Sequence, residues 1–357
     1  MGLDGRLSPQ KTLHSEERLT LRGHVDNCSR STVAGWATGD SETPAELVAE
    51  VDGAVVGRFL ADSIRADLNR PCAFRFRFNS PLNSSAKKVR VYFAATGQDL
   101  TNSPVDMKYR LAPVPPSELA WAKRLEMPDG VEMRRIGSST TEAFLQQGTR
   151  MAKVVAENIT EFFGHFPSNL SILDFGCGVG RVLLPLTSLA NAQWHACDVN
   201  DRAISYLRRV APKVNANVSD YYPPLSFDDN SFDCVYSISI WTHLPIALQL
   251  PWLIEVKRIL RPGGLALIST SGPHVVDVRR RRGDQGWQEL FGEDLTESGV
   301  IFRAYNYVGL PGIHASYGLA AHDEAFIRRI WGGIMPLLIT RPRAIEAMQD
   351  LHLLTKV

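Results

Sequence analysis

The chain has 357 residues, long for one compact domain and comfortable for two. It is 44% hydrophobic and 22% charged with a formal net charge of +1, which excludes wholesale disorder and argues against a dedicated nucleic-acid binder. The five cysteines (Cys28, Cys72, Cys177, Cys197, Cys234) are scattered without C-x-x-C spacing, so neither a disulfide framework nor a zinc site is expected. Reduced thiols in a cytoplasmic protein are the reading.

Charges at Asp4, Arg6, Lys11, Glu16, Glu17 and Arg18 leave no apolar signal core at the start, and residues 1–19 read as a tail. From 20 to 110 the rhythm has a period of two. "AELVAEV" runs into the hairpin dipeptide Asp52-Gly53 and then "AVVGRFL", while "FRFRF" (74–78) and "VRVYF" (89–93) alternate apolar and polar residues. This predicts a small antiparallel β-sandwich, with no catalytic cluster in it. "LAPVPPSE" (111–118) is proline-rich and has neither rhythm, so 111–134 read as a linker. The following stretch has helical spacing and opens on an apparent capping box, Ser139 with Glu142. From 171 onward short apolar strands alternate with helical stretches, which predicts a doubly wound parallel sheet. Cys234–Ile254 carries no formal charge and is long enough to span a membrane. It also holds Ser237, Ser239, Thr242, His243, Gln249, Pro245 and Pro251, and a strand, loop and helix explain it better.

The most informative stretch is "SILDFGCGVGR" (171–181). A strand, Ser171–Phe175, runs into glycines 176, 178 and 180 and then a helix expected over 180–190. Backbone N–H groups at such a junction can face a ligand's polar atoms. A dinucleotide fingerprint would need its third glycine where Arg181 stands. Asp174 would repel a pyrophosphate, but it suits a ligand carrying an amino group and a sulfonium.

"ILDFGCGVGR" resembles the first motif of class I S-adenosylmethionine-dependent methyltransferases. "WHACDVN" (194–200) resembles the second strand with its acidic end, "FDDNSFDCVYSISIWTHL" (227–244) the fourth-strand motif, and "LIEVKRILRPGGLALIST" (253–270) the helix, Pro-Gly-Gly turn and fifth strand. The resemblance covers 135–357. It implies a Rossmann-like sheet with an antiparallel last strand, for which "VIFRAYNY" (300–307) and "MQDLHLLTK" (348–356) are candidates. "PPLSFDDNSFD", "WTHL", "SYG" (316–318) and "QDLHLL" resemble methyltransferase domains attached to bacterial surface-glycan synthesis. "GHVDNCSRSTVAGWATGD" and "ADSIRADL" are similar to a β-module of such enzymes.

The resemblance implies S-adenosyl-L-methionine as cofactor. Asp174, with Gly176, Cys177 and Gly178, would contact its methionine portion. Asp198 would accept the ribose hydroxyls, Val199 would pack on adenine, and Asn217 with Val218 would meet the adenine edge. Ser237 and Ile238 would lie beside the sulfonium. The implied reaction is methyl transfer to a sugar hydroxyl of a surface glycan or its precursor. A small metabolite or a lipid as acceptor, or a non-catalytic binding module, stay open. If a hydroxyl accepts, a base should take its proton, and His243 is the candidate, with His274 second. His314, Tyr317 and His322 are candidates for the acceptor pocket, while His195, inside a strand, is read as structural. No metal site is expected, since the histidines do not recur at i, i+4 with carboxylates. The run Arg279 to Arg282 reads as a solvated face, or as a patch attracting a phosphorylated acceptor or an anionic membrane surface.

Overall fold

The computed structural model describes residues 21–357 except 40–42, 66–69, 81, 83–85, 108–110, 112, 139, 165–167, 190, 282–294, 305–313 and 315. The expected tail at 1–19, Ser139, Arg282 and 305–307 lie outside the described residues. The chain divides into two compact units between residues 112 and 113.

The first unit is antiparallel β: β1 (Arg22–Cys28), β2 (Thr32–Thr38), β3 (Glu46–Val51), β4 (Ala54–Leu60), β5 (Ser63–Arg65), β6 (Arg70–Arg77), β7 (Lys88–Phe93) and β8 (Val105–Asp106). They form two four-stranded sheets, ordered β1-β2-β6-β5 and β4-β3-β7-β8. The period of two decides the faces. In β7, Val89, Val91 and Phe93 are buried while Lys88 is exposed and Arg90 and Tyr92 half-buried. Residues of both sheets, among them Val25, Val33, Leu47, Phe74 and Val91, make one apolar cluster. Asp52 and Gly53 close the β3–β4 hairpin as a two-residue turn, both with positive φ.

The second unit has α1 (Gly130–Arg135), α2 (Thr141–Phe163), β9 (Ser171–Phe175), α3 (Leu183–Leu189), β10 (Gln193–Asp198), α4 (Asp201–Val210), β11 (Asn215–Val218), β12 (Phe232–Ser237), α5 (Ile246–Ile259), β13 (Leu260–Thr270), α6 (Pro273–Arg281), β14 (Val300–Ala304), β15 (Gly318–His322), β16 (Leu337–Ile345) and β17 (Gln349–Thr355). A seven-stranded sheet runs β11-β10-β9-β12-β13-β17-β16. It is parallel up to β13, and β17 is antiparallel to both its neighbours. Every residue of β9 is buried, as befits a central strand covered on both faces. Ile172 packs with α2, α3 and α4 on one face, whereas Leu173 and Phe175 pack with Trp252, Leu253 and Val256 of α5 on the other.

Four expectations change. The antiparallel partner of β17 is β16, not "VIFRAYNY"; Val300–Ala304 pairs with β15 outside the main sheet. Pro342 disguises β16, but an edge strand tolerates a residue that cannot donate to the ladder. The stretch read as a linker is part of the second unit from residue 113. Trp121, Leu125, Met127 and Met133 pack on its core, Trp121 Nε1 donates to Thr149 Oγ1 at 3.0 Å, and the Tyr206 hydroxyl donates to the Glu126 carbonyl at 2.6 Å. The α2 cap is Thr140, whose Oγ1 accepts from the Ala143 N–H at 3.1 Å, and Glu142 accepts from Gln146 at 2.9 Å. Finally, α3 begins at Leu183, after the glycines have made a turn of their own.

Cys234–Ile254 covers most of β12, a loop and part of α5, and no described helix is long and apolar enough to cross a membrane. All five cysteines are buried free thiols.

Candidate functional site

A cavity of about 800 Å³ lies in the second unit, walled by residues that follow the carboxyl ends of β9, β10, β11, β12 and β13. This is where open α/β sheets bind ligands. The glycine loop forms one wall. Gly176 has φ +79, and a Cβ there would lie 2.3 Å from Ile240 Cδ1, so only glycine fits the bend. The Gly176 and Cys177 N–H groups both donate to the Cys197 carbonyl, at 2.9 and 3.1 Å, which ties the loop to β10.

Two carboxylates stand at neighbouring strand ends. Asp174 is 3% exposed. Burial pushes its pKa up to about 8; the Asp198 charge adds to this, while the Tyr236 hydroxyl and the Arg181 guanidinium oppose it. Burial also raises Asp198, against the backbone amides it accepts from. Its Oδ2 takes the Gly178 N–H at 2.7 Å and its Oδ1 the Asn200 N–H at 2.8 Å. Each oxygen keeps a lone pair for a ligand hydroxyl. The Asn200 side chain in turn donates to Glu132 Oε2 at 2.6 Å, which ties α1 to this corner. Val199 is 44% exposed and offers an apolar surface in the cavity wall.

Asn217 and Val218 do not line the cavity. Asn217 Nδ2 donates to Asn215 Oδ1 at 3.1 Å, and the chain reaches the cavity only past the strand end, at Ser219, Asp220 and Tyr221. Ser237 also lies outside it. It is fully buried, and its hydroxyl donates to the Phe175 carbonyl at 2.9 Å, joining the ends of β9 and β12, while Ile238 lines the cavity.

His243, Tyr317 and His314 do line it. His243 Nδ1 donates to the Gly318 carbonyl at 2.8 Å, an atom that can only accept. This sets the tautomer: Nδ1 carries the proton and Nε2 keeps its lone pair. Burial lowers the pKa of the ring to about 4, against the Gly318 bond, so the imidazole is neutral at pH 7. The Tyr317 ring stacks on it at 4.4 Å, and His314 stacks on Tyr221 at 3.8 Å. Ser316 Oγ bonds both the Tyr221 hydroxyl and His314 Nδ1, each at 2.7 Å.

His274 and His322 are corrected. His274 is the second residue of α6 and does not line the cavity, which Val275 and Arg279 line from that helix. His322 is 1% exposed and belongs to the core, because the alternation of β15 turns it inward. Its Nε2 bonds Gln249 Oε1 at 2.9 Å and its ring abuts Trp331 at 5.5 Å. His195 packs edge-on against Phe232 at 5.1 Å within β10.

His322 and His352 make acid stability testable. Burial lowers both to about 3, and in His322 the His352 ring adds to this. Each folded-state value lies below the unfolded one near 6.5, so the unfolded chain binds more protons and stability falls as pH drops from about 6.5. Asp174, raised to about 8, acts with the opposite sign between about 4 and 8. Replacing His322 with Gln is expected to reduce the acid slope by roughly one proton, about 1.4 kcal/mol per pH unit. Urea unfolding between pH 4.5 and 6.5 measures it.

Further residues join the site. Gln349 Oε1 accepts from Ser269 Oγ at 2.8 Å and from Ser239 Oγ at 3.1 Å, beside the β16–β17 turn, where Glu346 and Ala347 have positive φ. Arg150 holds Glu346 in a bidentate pair at 2.6 and 2.8 Å. Among the described residues no group of three or more His, Cys, Asp or Glu side chains is disposed to hold a metal ion.

Residues 172–264 match a family model described as a methyltransferase domain. The chain is similar to the biotin biosynthesis bifunctional protein BioHC of Teredinibacter turnerae, 30% identical over 161 residues, covering 40% of this chain and 27% of that one. It is also similar to the sterol 24-C-methyltransferase of Candida albicans, 27% identical over 129 residues, covering 35% of this chain and 32% of that one. The magnesium protoporphyrin IX methyltransferase of Synechocystis, solved with bound S-adenosylhomocysteine, has TM-score 0.44 and 17% identity, covering 63% of this chain and 93% of that one. The matched region spans between 26% and 32% of the first three curated relatives' length.

Proposed function

We propose that this protein transfers a methyl group from S-adenosylmethionine to a hydroxyl, and that the acceptor is a sugar of a surface glycan or its precursor. The carrying observation is His243: a neutral imidazole in the cavity wall, its tautomer set by Gly318, with no partner for Nε2 among the described residues. A hydroxyl oxygen must shed its proton as it takes the methyl group, and an unprotonated ring nitrogen suits that step. The glycan assignment is supported by the motif likeness alone.

When bound, the cofactor supplies a methyl group on a sulfonium that leaves readily. The residues present fit it. Asp174 meets an ammonium, Asp198 has acceptor capacity for two ribose hydroxyls, and Val199 is apolar where adenine needs a face. Alignment is the protein's main task in such a displacement.

The test is calorimetric titration with S-adenosylmethionine, followed by mass spectrometry of hydroxyl-bearing sugars incubated with enzyme and cofactor. A methyl ether is the expected product. Methylation at nitrogen or carbon only would overturn the hydroxyl reading, and preference for NAD would overturn the cofactor.

Asp174 adds a pH dependence. In the free protein it is protonated below about 8, and a cation beside it favours the carboxylate. Binding is therefore expected to release up to one proton at pH 7, and affinity to rise with pH toward 8. Calorimetry at pH 7 in buffers of different ionisation enthalpy detects the proton, and Asp174→Asn should abolish that release.

A further inference from the structure

The arginine run that opens at 279 divides in the structure. In α6, Val275 and Val276 are buried, Val278 and Arg279 are half-buried, and Asp277 and Arg280 are exposed. Arg279 lies one turn beyond Val275 on the same helix face, and both residues line the cavity. The first arginine of the run therefore belongs to the cavity wall, and the second to the solvated face.

The fold places Arg279 at the end of the cavity that holds His243. The sheet runs β11-β10-β9-β12-β13; Asp174 and Asp198 stand in β9 and β10, whereas His243 follows β12 and α6 follows β13. Val276 of α6 packs with Ile301 of β14 and with Leu319 and Ala321 of β15. That last strand begins at Gly318, whose carbonyl fixes His243, and its flanking residues Tyr317 and Leu319 line the cavity. Charge divides along the same line. Asp174, Asp198 and Asp220 belong to the β11-β10-β9 half, and Glu132 bonds Asn200 there. Glu346 is held by Arg150. Arg134, Arg135 and Arg181 reach the wall from α1 and the glycine loop. Among the described residues, Arg279 is the guanidinium that the elements after β13 bring to it.

A guanidinium offers five N–H donors in a planar fork that matches a carboxylate or a phosphate. Its pull on an anion is screened less where water is partly excluded. A neutral hydroxyl uses neither the charge nor the fork. We infer that Arg279 determines acceptor specificity by binding an anionic group, a carboxylate or a phosphate, carried on the same molecule as the hydroxyl that meets His243. This rests on the hydroxyl-acceptor reading of the cavity and names the class of acceptor within it.

The test measures methyl-ether formation by the full chain on matched probes: glucose, galactose and mannose, each beside its uronic acid and its 1-phosphate. In at least one set the wild-type enzyme should show kcat/KM about ten- to a hundredfold higher for an acidic member than for the neutral parent, as for one charge-assisted pair. The difference should lie in KM, and the preferred acidic member identifies the anion. Turnover of acidic members alone would support the inference equally. In Arg279→Gln the preference should vanish, with the neutral hexose used as by wild type and S-adenosylhomocysteine affinity unchanged. Arg280→Gln, on the exposed face, should keep the wild-type ratio. Equal loss on acidic and neutral probes would mean that Arg279 only braces the wall, and would overturn the inference; so would a preference that survives the substitution. Should the glutamine variant not fold, Arg279→Lys, which keeps the charge and loses the fork, should show a reduced ratio, and an undiminished one would overturn it. If none of the probes yields a methyl ether, the hydroxyl reading itself fails and the inference with it; if ethers form without discrimination by charge, only the inference fails.

Discussion

Replacing His243 with asparagine is expected to lower turnover by about 10²–10⁴-fold while leaving the affinity for S-adenosylhomocysteine unchanged. Asparagine is the informative choice because its amide can still donate to the Gly318 carbonyl, which His243 Nδ1 holds at 2.8 Å. The backbone bonds of this loop, Gly318 N–H to the His243 carbonyl at 3.3 Å and Ala320 N–H to the Thr242 carbonyl at 2.8 Å, do not depend on the side chain. What disappears is the Nε2 lone pair. The pH profile provides a second readout. Burial holds the ring near 4, so the base is already unprotonated at pH 5 and above. The acid limb of turnover should therefore lie near pH 4 rather than near the ordinary value of 6.5. An acid limb at 6.5, or a kcat unmoved by the substitution, would remove His243 from the chemistry. Single-turnover methyl transfer measured from pH 4.5 to 8 decides between these outcomes.

The glycine loop and its two aspartates were legible in the sequence because local physics allows few alternatives there. Left-handed φ at Gly176, Gly178 and Gly180 and a 2.3 Å clearance to Ile240 demand glycine, and a carboxylate at a strand end beside such a loop narrows the ligand. The period-two rhythm of the first unit likewise follows from side chains alternating across a sheet. Less was legible where tertiary packing overrides local pattern. Trp121, Leu125, Met127 and Met133 are spaced too irregularly to announce a docked segment, yet each packs on the second unit's core. His322 is a pocket candidate by its place near "SYG", and only its pairing with Val300 in β14 and its burial show it to be a strand residue of the core. Asn217 lies outside the cavity, which Ser219, Asp220 and Tyr221 line instead, since the exact end of a strand decides which side chain clears it.

Asp198→Ala is expected to weaken S-adenosylhomocysteine binding by at least about a hundredfold. Each hydrogen bond from a ligand hydroxyl to a charged acceptor contributes about 1.5–3 kcal/mol, and Asp198 has capacity for two. The loop suffers as well. Asp198 accepts the Gly178 N–H at 2.7 Å and the Asn200 N–H at 2.8 Å, so removing the carboxylate frees one amide on each side of the adenosine corner. Asn200 would then lose a restraint on the side chain that bonds Glu132, loosening α1 at the same corner. Asparagine separates the two effects. An Asp198→Asn side chain can keep one acceptor for the loop but presents an amide where the carboxylate oxygen stood, so it can donate to a ribose hydroxyl yet no longer accept there with a charge. Affinity should rank wild type, then Asn, then Ala, and should fall for methylthioadenosine as steeply as for S-adenosylhomocysteine, because both carry the ribose. Thermal melting without ligand shows whether the fold is intact in each variant. If the alanine variant melts like wild type and still binds S-adenosylhomocysteine at full strength, the ribose is held elsewhere, and the placement of the cofactor along β9 and β10 has to be redrawn.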